Sequence, residues 1–225
     1  MNNGFTLYTD PLRVIVATGF KDRSSNRKTG QMIQIWILPR RMNPVQAVST
    51  GHDSAVCGGC PLRGVNGKER SCYVNIGQAP LSVWRAWQRG SYPDLPSVDL
   101  FRGHVVRFGA YGDPVHIPFP LFQSIANASK GWTGYTHQWR KPVFQGFNAY
   151  LMASADCQGD AIEARAAGWR YFRVRGESEP MASGEIECLS DSKGITCADC
   201  RLCAGTSKPA KSISIRVHGS GKVHF

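Results

Sequence analysis

The first 41 residues alternate short apolar runs with polar turns. Runs rich in Val, Ile, Leu, Phe and Tyr, bounded by Gly, Pro, Asp and basic residues, are typical of short strands joined by turns. The pattern predicts three strands, FTLYT, RVIVATGF and QMIQIWILPRR, with the polar KDRSSNRKTG as the loop between the last two. We expect the first strands to form a hairpin that leads into a core strand.

Residues 42–72 have no usable period, and Gly, Pro and polar residues are scattered through them. Loops of this length are usually functional or disordered. Three of the eight cysteines lie in this one, which favours function. A helix is predicted next, in QAPLSVWRAWQRG, with Pro80 near its start and Gly90 as its end. Trp84 and Trp87 share one face of that helix, where core packing is favoured over base stacking.

From residue 103 onward, strand and helix patterns alternate. This order predicts crossover connections and a mainly parallel sheet whose faces are covered. The predicted strands are GHVVRFGAYG, WTGYTHQW, FNAYLMASA, WRYFRVRG and KSISIRVHG, and the predicted helices are FPLFQSIANAS and GDAIEARAAG. The fold class is therefore α/β, as a partial (β/α) barrel or a mainly parallel sheet, with an N-terminal β-hairpin and two cysteine-bearing loops.

The length of 225 residues and the 42% hydrophobic composition fit one globular domain. We expect N-terminal strands over residues 1–41 and an α/β core over 42–225, which includes a cysteine loop at 188–205. The N-terminus lacks a basic start followed by an apolar run, and no stretch approaches 18 apolar residues. We therefore expect a cytoplasmic protein that does not enter membranes. A reducing cytoplasm disfavours disulfides and directs closely spaced cysteines toward metal or redox chemistry.

The formal net charge is +11, from 27 Lys and Arg against 16 Asp and Glu. Such an excess favours polyanions through counterion release, so DNA or RNA is a candidate partner. The segment HQWRKP, residues 137–142, also interleaves aromatic and basic side chains, as suits stacking and phosphate contact. The candidate nucleic-acid residues in predicted loops are Arg23, Arg27, Lys28, Arg140 and Lys141. Whether a nucleic acid would be substrate or partner, and which oligomer forms, stays open.

The segment ITCADCRLCAG places Cys197, Cys200 and Cys203 at strict three-residue spacing. This spacing matches the bacterial motif for a four-iron cluster, in which successive cysteines reach different irons. The fourth cysteine of that motif would stand where this chain has Ser207, so Cys188 is the candidate fourth ligand. Zinc on the same four thiolates, or buried free thiols, are the alternatives. Iron-sulfur is favoured because zinc sites usually use two CxxC arms with a wider gap.

A second group consists of Cys57 and Cys60, separated by two glycines, and of Cys72 after eleven further residues. The glycines allow the backbone to turn tightly around a metal. Three thiolates are one ligand short of a closed site. His52 can complete a zinc site, Cys157 can arrive from the sheet as an additional metal ligand, or the fourth position stays open for a substrate.

The order of a three-cysteine loop, a helix, a strand ending in GAYGDPV and a helix PLFQSI resembles the partial barrel of radical S-adenosylmethionine enzymes. The resemblance implies that the first three cysteines hold a four-iron cluster whose open iron binds S-adenosylmethionine. It implies that Gly112, Asp113 and Pro114 correspond to the family's Gly-Gly-Glu-Pro motif, which binds the amino group of that cofactor. It also implies that the C-terminal group is an auxiliary cluster that closes the barrel mouth or carries electrons.

CADCRLCAG followed by ISIRVHG, and SCYVNIGQAP, are similar to segments of uncharacterised bacteriophage proteins related to that superfamily, which would place the chain in the host cytoplasm. The resemblance covers residues 50–220. The chain departs from the family in its cysteine spacing, where CxxxCxxC is usual, and in having Asp113 where Glu is usual.

These patterns predict an iron-sulfur protein with one or two four-iron clusters that resembles radical S-adenosylmethionine enzymes and acts on nucleic acid or nucleotides. The alternative is a non-catalytic iron-sulfur or zinc protein that binds nucleic acid or transfers electrons. No catalytic residue is assigned. His104, His116 and His137 lie near predicted strand ends, where an imidazole can serve as acid, base or ligand, although an isolated histidine is more often structural. Walker-type GxxxxGK[ST], GxSxG and HExxH motifs are absent from the sequence, so the common nucleotide-hydrolase, serine-hydrolase and zincin functions have no support.

Overall fold

A computed structural model of the chain describes residues 2–22, 26–64, 69–219 and 222–224. Within these ranges nine strands form one open sheet in the order β1-β2-β3-β4-β5-β6-β7-β9-β8. The strands are β1 (Gly4–Thr9), β2 (Arg13–Thr18), β3 (Met32–Pro39), β4 (Val105–Tyr111), β5 (Gly131–Thr136), β6 (Met152–Ala155), β7 (Tyr171–Arg175), β8 (Glu185–Glu187) and β9 (Ser212–Arg216).

The α-helices are mostly short. They are α1 (Pro44–Ser49), α2 (Ser54–Cys57), α3 (Ala79–Gln88), α4 (Phe119–Ala128), α5 (Gln158–Ala166), α6 (Leu189–Ser192) and α7 (Cys197–Cys200). Turns of 3₁₀ helix occur at Pro61–Arg63, Val98–Phe101, Pro114–His116, Pro142–Ala149 and Lys222–His224. No helix in the part of the chain that the structure describes has the length and apolar character needed to cross a membrane.

The topology confirms the predicted fold class. The pairs β1–β2 and β2–β3 are antiparallel, and β3 then begins a parallel series that continues through β4, β5, β6, β7, β9 and β8. The carboxyl ends of these seven strands therefore share one edge of the sheet, which is where binding groups gather in parallel α/β folds.

The two faces of the parallel sheet have different partners. In β4 the residues Val106 and Phe108 are buried in the main hydrophobic core, and Phe108 stacks on Phe122 of α4 with ring centroids 4.1 Å apart. Alternate residues of the same strand, Arg107 and Gly109, instead line a cavity on the other face. This division follows from the two-residue period of a strand.

Several local predictions need correction. The stretch 42–72 is not a continuous loop, because a capping box between Asn43 and Gln46 starts α1 and a second short helix follows. The segment FNAYLMASA is not one strand, since only its last four residues belong to β6 and a 3₁₀ segment that starts at Pro142 precedes them. The prediction for Trp84 and Trp87 is confirmed, because both pack against the main core.

Candidate functional site

Thiols from both cysteine groups face one cavity of about 380 Å³. This volume lies in the range of small-molecule sites. The cysteines that line it are Cys57, Cys60 and Cys72 from the first group and Cys188 and Cys197 from the second. Segments far apart in the sequence thus supply sulfur to one cavity.

The first cysteine group follows β3 at the carboxyl edge, where α2 ends at Cys57. Gln138, just after β5, fastens this loop: its Nε2 donates to the carbonyl of Cys57 at 3.2 Å, and its Oε1 accepts from the amide of Gly59 at 3.3 Å. Gly58 has φ +59°, and a Cβ there would lie 2.5 Å from the Gln138 side chain. The glycine is therefore needed for this close approach.

The three thiols of the first group lie close enough to influence one another. Burial raises the pKa of the Cys57 thiol well above its usual value, and Cys60, Asp53 and Cys72 raise it further. Burial also raises the pKa of Cys72. Buried neighbouring thiols hold their protons when nothing neutralises the thiolates, and a bound metal cation is the usual way to remove those protons.

The second group brings four thiols together. Cys188 follows β8, Cys197 and Cys200 bound α7, and Cys203 is buried. Burial raises the pKa of Cys203 to about 12, and the other three thiols contribute to this rise while a hydrogen bond with Tyr135 opposes it. The four thiols thus lie near enough to influence one another's pKa, and their role as metal ligands stays a prediction.

The segment that carries the second group crosses the amino-terminal edge of the sheet. The amide of Cys197 donates to the carbonyl of Lys28, just before β3, at 3.0 Å. Arg170, just before β7, donates to the carbonyl of Leu202 at 2.9 Å. Cys197 and Leu202 are thus held by residues that precede β3 and β7, whereas Cys188 follows the carboxyl end of β8. That this group closes the barrel mouth or carries electrons stays a prediction. Gly30 makes room for the segment, since a Cβ there would meet Thr196 at 2.9 Å.

Gly112 and Asp113 line the cavity, whereas Pro114 is buried in the 3₁₀ turn that follows. The Asp113 carboxylate accepts hydrogen bonds from the hydroxyl of Thr136 and the amide of His137, both at 3.0 Å, and from the amide of Val115 at 3.2 Å. Burial raises the pKa of Asp113, and these hydrogen bonds oppose the rise. Asp113 thus joins the ends of β4 and β5.

His137, one of the three histidines near predicted strand ends, lies beside the first group. Its Nε2 is 3.2 Å from Oδ2 of Asp156. Burial lowers the pKa of His137, but Cys60 and Asp156 outweigh burial and hold it well above the usual value. The sequence did not predict that this imidazole lies next to the first cysteine group.

Neither side chain predicted to complete the first site lines the cavity. Nδ1 of the exposed His52 lies 2.9 Å from Oγ1 of Thr50. Cys157 is also exposed, and its sulfur caps α5 by accepting from the amide of Asp160 at 3.4 Å. Of the imidazoles considered, His137 is the one that the fold places next to these thiols.

The candidate nucleic-acid residues lie at opposite edges of the sheet. Arg27 and Lys28 precede β3, and the Lys28 ammonium lies 3.4 Å from Asp191. Arg140 and Lys141 follow β5 and are exposed. The Arg140 guanidinium pairs with Asp160 and Glu163 and lies 4.0 Å from the ring centroid of Trp139. Arg23 lies outside the described residues.

No three His, Cys, Asp or Glu side chains within the described ranges are close enough together to hold a single metal ion. A four-iron cluster keeps its thiolate ligands farther apart than a single zinc ion does, because each thiolate binds a different iron. No protein-family model, curated protein or solved structure matches the chain.

Proposed function

We propose that the chain is an iron-sulfur enzyme of the radical S-adenosylmethionine type. The supporting observation is that thiols of both cysteine groups face one cavity, three of them at the carboxyl edge of a parallel sheet. In this proposal Cys57, Cys60 and Cys72 hold a four-iron cluster with one iron open. Cys188, Cys197, Cys200 and Cys203 hold a second cluster.

The residues present fit such a group at the first site. Three thiols share the site and Cys157 faces elsewhere, so a four-iron cluster held here would have one iron without a cysteine ligand. The buried hydroxyl of Tyr111 has no hydrogen-bond partner among the described residues, and Tyr111 lines the cavity near Cys57. An unpaired buried hydroxyl favours a bound ligand in that space.

The bound cluster would supply an electron and an iron that chelates S-adenosylmethionine. The protein's own residues would shape the surroundings: Gly112 exposes backbone next to the cluster loop, Asp113 fixes that backbone, and Asp156 orients His137. The excess of positive charge and the size of the cavity support a nucleotide, or a nucleotide within a nucleic acid, as the substrate.

The alternative function is that of a non-catalytic iron-sulfur or zinc protein, and the position of His137 favours it. If this imidazole ligated the remaining iron of a cluster held by the three thiols, the first site would be closed, as structural sites are. Such a protein would use its metals for stability, electron transfer or nucleic-acid attachment.

The decisive experiment measures the metal content and cofactor cleavage of anaerobically purified protein. We expect a brown protein with about eight irons per chain and formation of 5′-deoxyadenosine from S-adenosylmethionine under reducing conditions. Cys72→Ala should abolish that cleavage, and Cys157→Ala should retain it. Colourless protein with stoichiometric zinc would overturn the proposal. Loss of the first metal site in His137→Ala, with no cleavage by the wild type, would establish the closed site.

Binding to nucleic acid is tested by its salt dependence. Each phosphate contact that is removed should lower the log-log salt slope by about one. We expect this decrease in the slope for Lys141→Gln and for Arg27→Gln. The decrease for Arg140→Gln should be smaller, because Asp160 and Glu163 already pair with Arg140. Absence of binding at low salt would remove the nucleic acid from the proposal.

A further inference from the structure

Arg107 stands inside the cavity, although it belongs to an otherwise apolar strand. Its neighbours Val106 and Phe108 are buried in the main core, so the period of the strand directs Arg107 to the opposite face. There it lines the cavity together with thiols of both cysteine groups. A charged side chain at this position is not explained by packing of the core.

Arg107 also differs in its partners from two other interior arginines. Arg173 pairs with Glu185 at 2.7 Å, and Arg63 pairs with Asp53 at 2.6 Å. Around Arg107, by contrast, the described residues place no carboxylate within salt-bridge distance, and its one described hydrogen bond runs from Nη2 to the hydroxyl of Tyr73 at 3.0 Å. A guanidinium has five N–H donors, so several remain available to a ligand in the cavity.

The carboxylates that line the same cavity are already engaged. Asp113 accepts from three donors, and Asp156 lies against His137. The cationic Lys28 lines the cavity as well, but its ammonium lies 3.4 Å from Asp191. A partly buried cation without a carboxylate partner is less stable than a paired one, and a ligand that carries a negative charge supplies that partner.

We propose that Arg107 binds the anionic group, a carboxylate or a phosphate, of a small-molecule substrate held between the two cysteine groups. Arginine suits this role because its planar fork matches both oxyanions with paired hydrogen bonds. The assignment of this anion as part of a substrate rests on the proposed function, whereas the anion site itself does not.

Tyr73 connects this anion site to the first cysteine group. It directly follows Cys72, its hydroxyl accepts from Arg107, and its ring stacks on His218 with centroids 5.6 Å apart. An anion bound at Arg107 would therefore lie beside the residue that adjoins a proposed cluster ligand.

The test is calorimetric titration of the anaerobically purified protein with inorganic phosphate and, separately, with acetate. We expect saturable binding of one of them, which identifies the oxyanion. Arg107→Gln should weaken it about tenfold or more, as for loss of a hydrogen bond to a charged group. Arg107→Lys should give an intermediate affinity. The control Arg102→Gln, which alters an exposed arginine paired with Asp99, should bind like the wild type.

Equal affinities for wild type and Arg107→Gln, or no saturable binding of either anion to the wild type, would overturn the proposal. A shifted reduction potential of the proposed second cluster in Arg107→Gln, with unchanged anion affinity, would also overturn it. Arg107 would then only balance the negative charge near Cys197. If Arg107→Gln does not fold, Arg107→Lys replaces it in the test. An anion affinity of Arg107→Lys equal to that of the wild type would then overturn the proposal. Anion binding without cleavage of S-adenosylmethionine would keep the site and overturn the proposed enzyme function.

Discussion

The guanidinium of Arg63 lies 2.6 Å from the carboxylate of Asp53, and both side chains are buried. The same guanidinium donates to the carbonyl of Gly51 at 2.9 Å and to that of Gly58 at 3.1 Å. One arginine therefore fixes the segment on both sides of α2, whose last residue is Cys57. The position of the first cysteine group thus depends on a buried ion pair.

Replacing Arg63 by Met should lower the free energy of unfolding by about 3–5 kcal/mol, because Asp53 would remain buried without a counter-charge. Urea unfolding measures this change. The control is Arg102→Met, which breaks an exposed pair with Asp99 and should cost about 1 kcal/mol or less. Similar losses in both variants would contradict a special role for the buried pair.

Gly112 should be required for folding whether or not a cofactor binds. Its φ is +78°, and a Cβ would lie 2.6 Å from the carbonyl oxygen of Ile37. Gly90 is a matched control, with φ +73° and open space where a methyl group would stand. Gly90→Ala should cost about 1–2 kcal/mol from backbone strain, and Gly112→Ala about 1–3 kcal/mol more from the clash. Equal unfolding midpoints for the two variants would show that the contact relaxes freely.

Asp113→Asn should destabilise the junction of β4 and β5. The carboxylate now accepts from Val115 through one oxygen and from Thr136 and His137 through the other. An amide can accept through only one of those atoms, and its NH₂ would then face a donor. We expect a loss of about 1.5–3 kcal/mol in the free energy of unfolding. Unchanged stability, measured by denaturant titration, would contradict this structural role.

His116 should make the protein less stable in acid. Burial lowers the pKa of His116 to about 4, and Arg13 and Lys141 lower it further against the opposing effect of Asp10. Its buried Nε2 has no hydrogen-bond partner among the described residues. The unfolded chain takes up a proton near pH 6.5 and the folded protein only near pH 4, so stability falls as the pH drops between these values.

The loss attributable to His116 should reach about 3 kcal/mol below pH 4, at about 1.4 kcal/mol for each unit of pKa difference. His116→Gln removes this titration, so its stability should depend less on pH between 6.5 and 4. The measurement is the free energy of unfolding across that range for both proteins. Parallel profiles would show that His116 does not contribute.

The sequence predicted the fold class because strand and helix periods are local. Apolar alternation marked the N-terminal hairpin and β4, and the cysteine spacing marked both thiol groups. The sequence did not predict β8, because the charged Glu185 and Glu187 are typical of surface residues. The structure pairs these carboxylates with Arg173 and Arg175 of β7, so their charges are neutralised between strands.

The neighbours of each thiol group could not be predicted, because they depend on the order of strands in the sheet. His137 reaches Cys60 only because β5 lies next to β4, whose end adjoins the first cysteine loop. The segment with Cys197 crosses the amino-terminal edge because its backbone amides donate to the carbonyls of Lys28 and Thr29, just before β3. Arg107 gave only a weak indication of a binding role, because it is a single charged residue within an apolar strand.

The eight cysteines should differ in their contribution to metal content. Cys203 is buried among the other three thiols of its group, whereas the exposed Cys157 caps α5 through its sulfur. Cys203→Ser should therefore remove about four irons per chain, the content of one four-iron cluster. Cys157→Ser retains a side chain that can cap a helix and should leave the iron content unchanged.

Iron and acid-labile sulfide assays on anaerobically purified protein measure both variants against the wild type. The circular dichroism spectrum shows whether the fold is retained. Equal iron content in Cys203→Ser and wild type would exclude Cys203 as a ligand. A loss of iron in Cys157→Ser would instead mean that the first site recruits Cys157 by moving the start of α5, which would close the position that the proposed enzyme needs open.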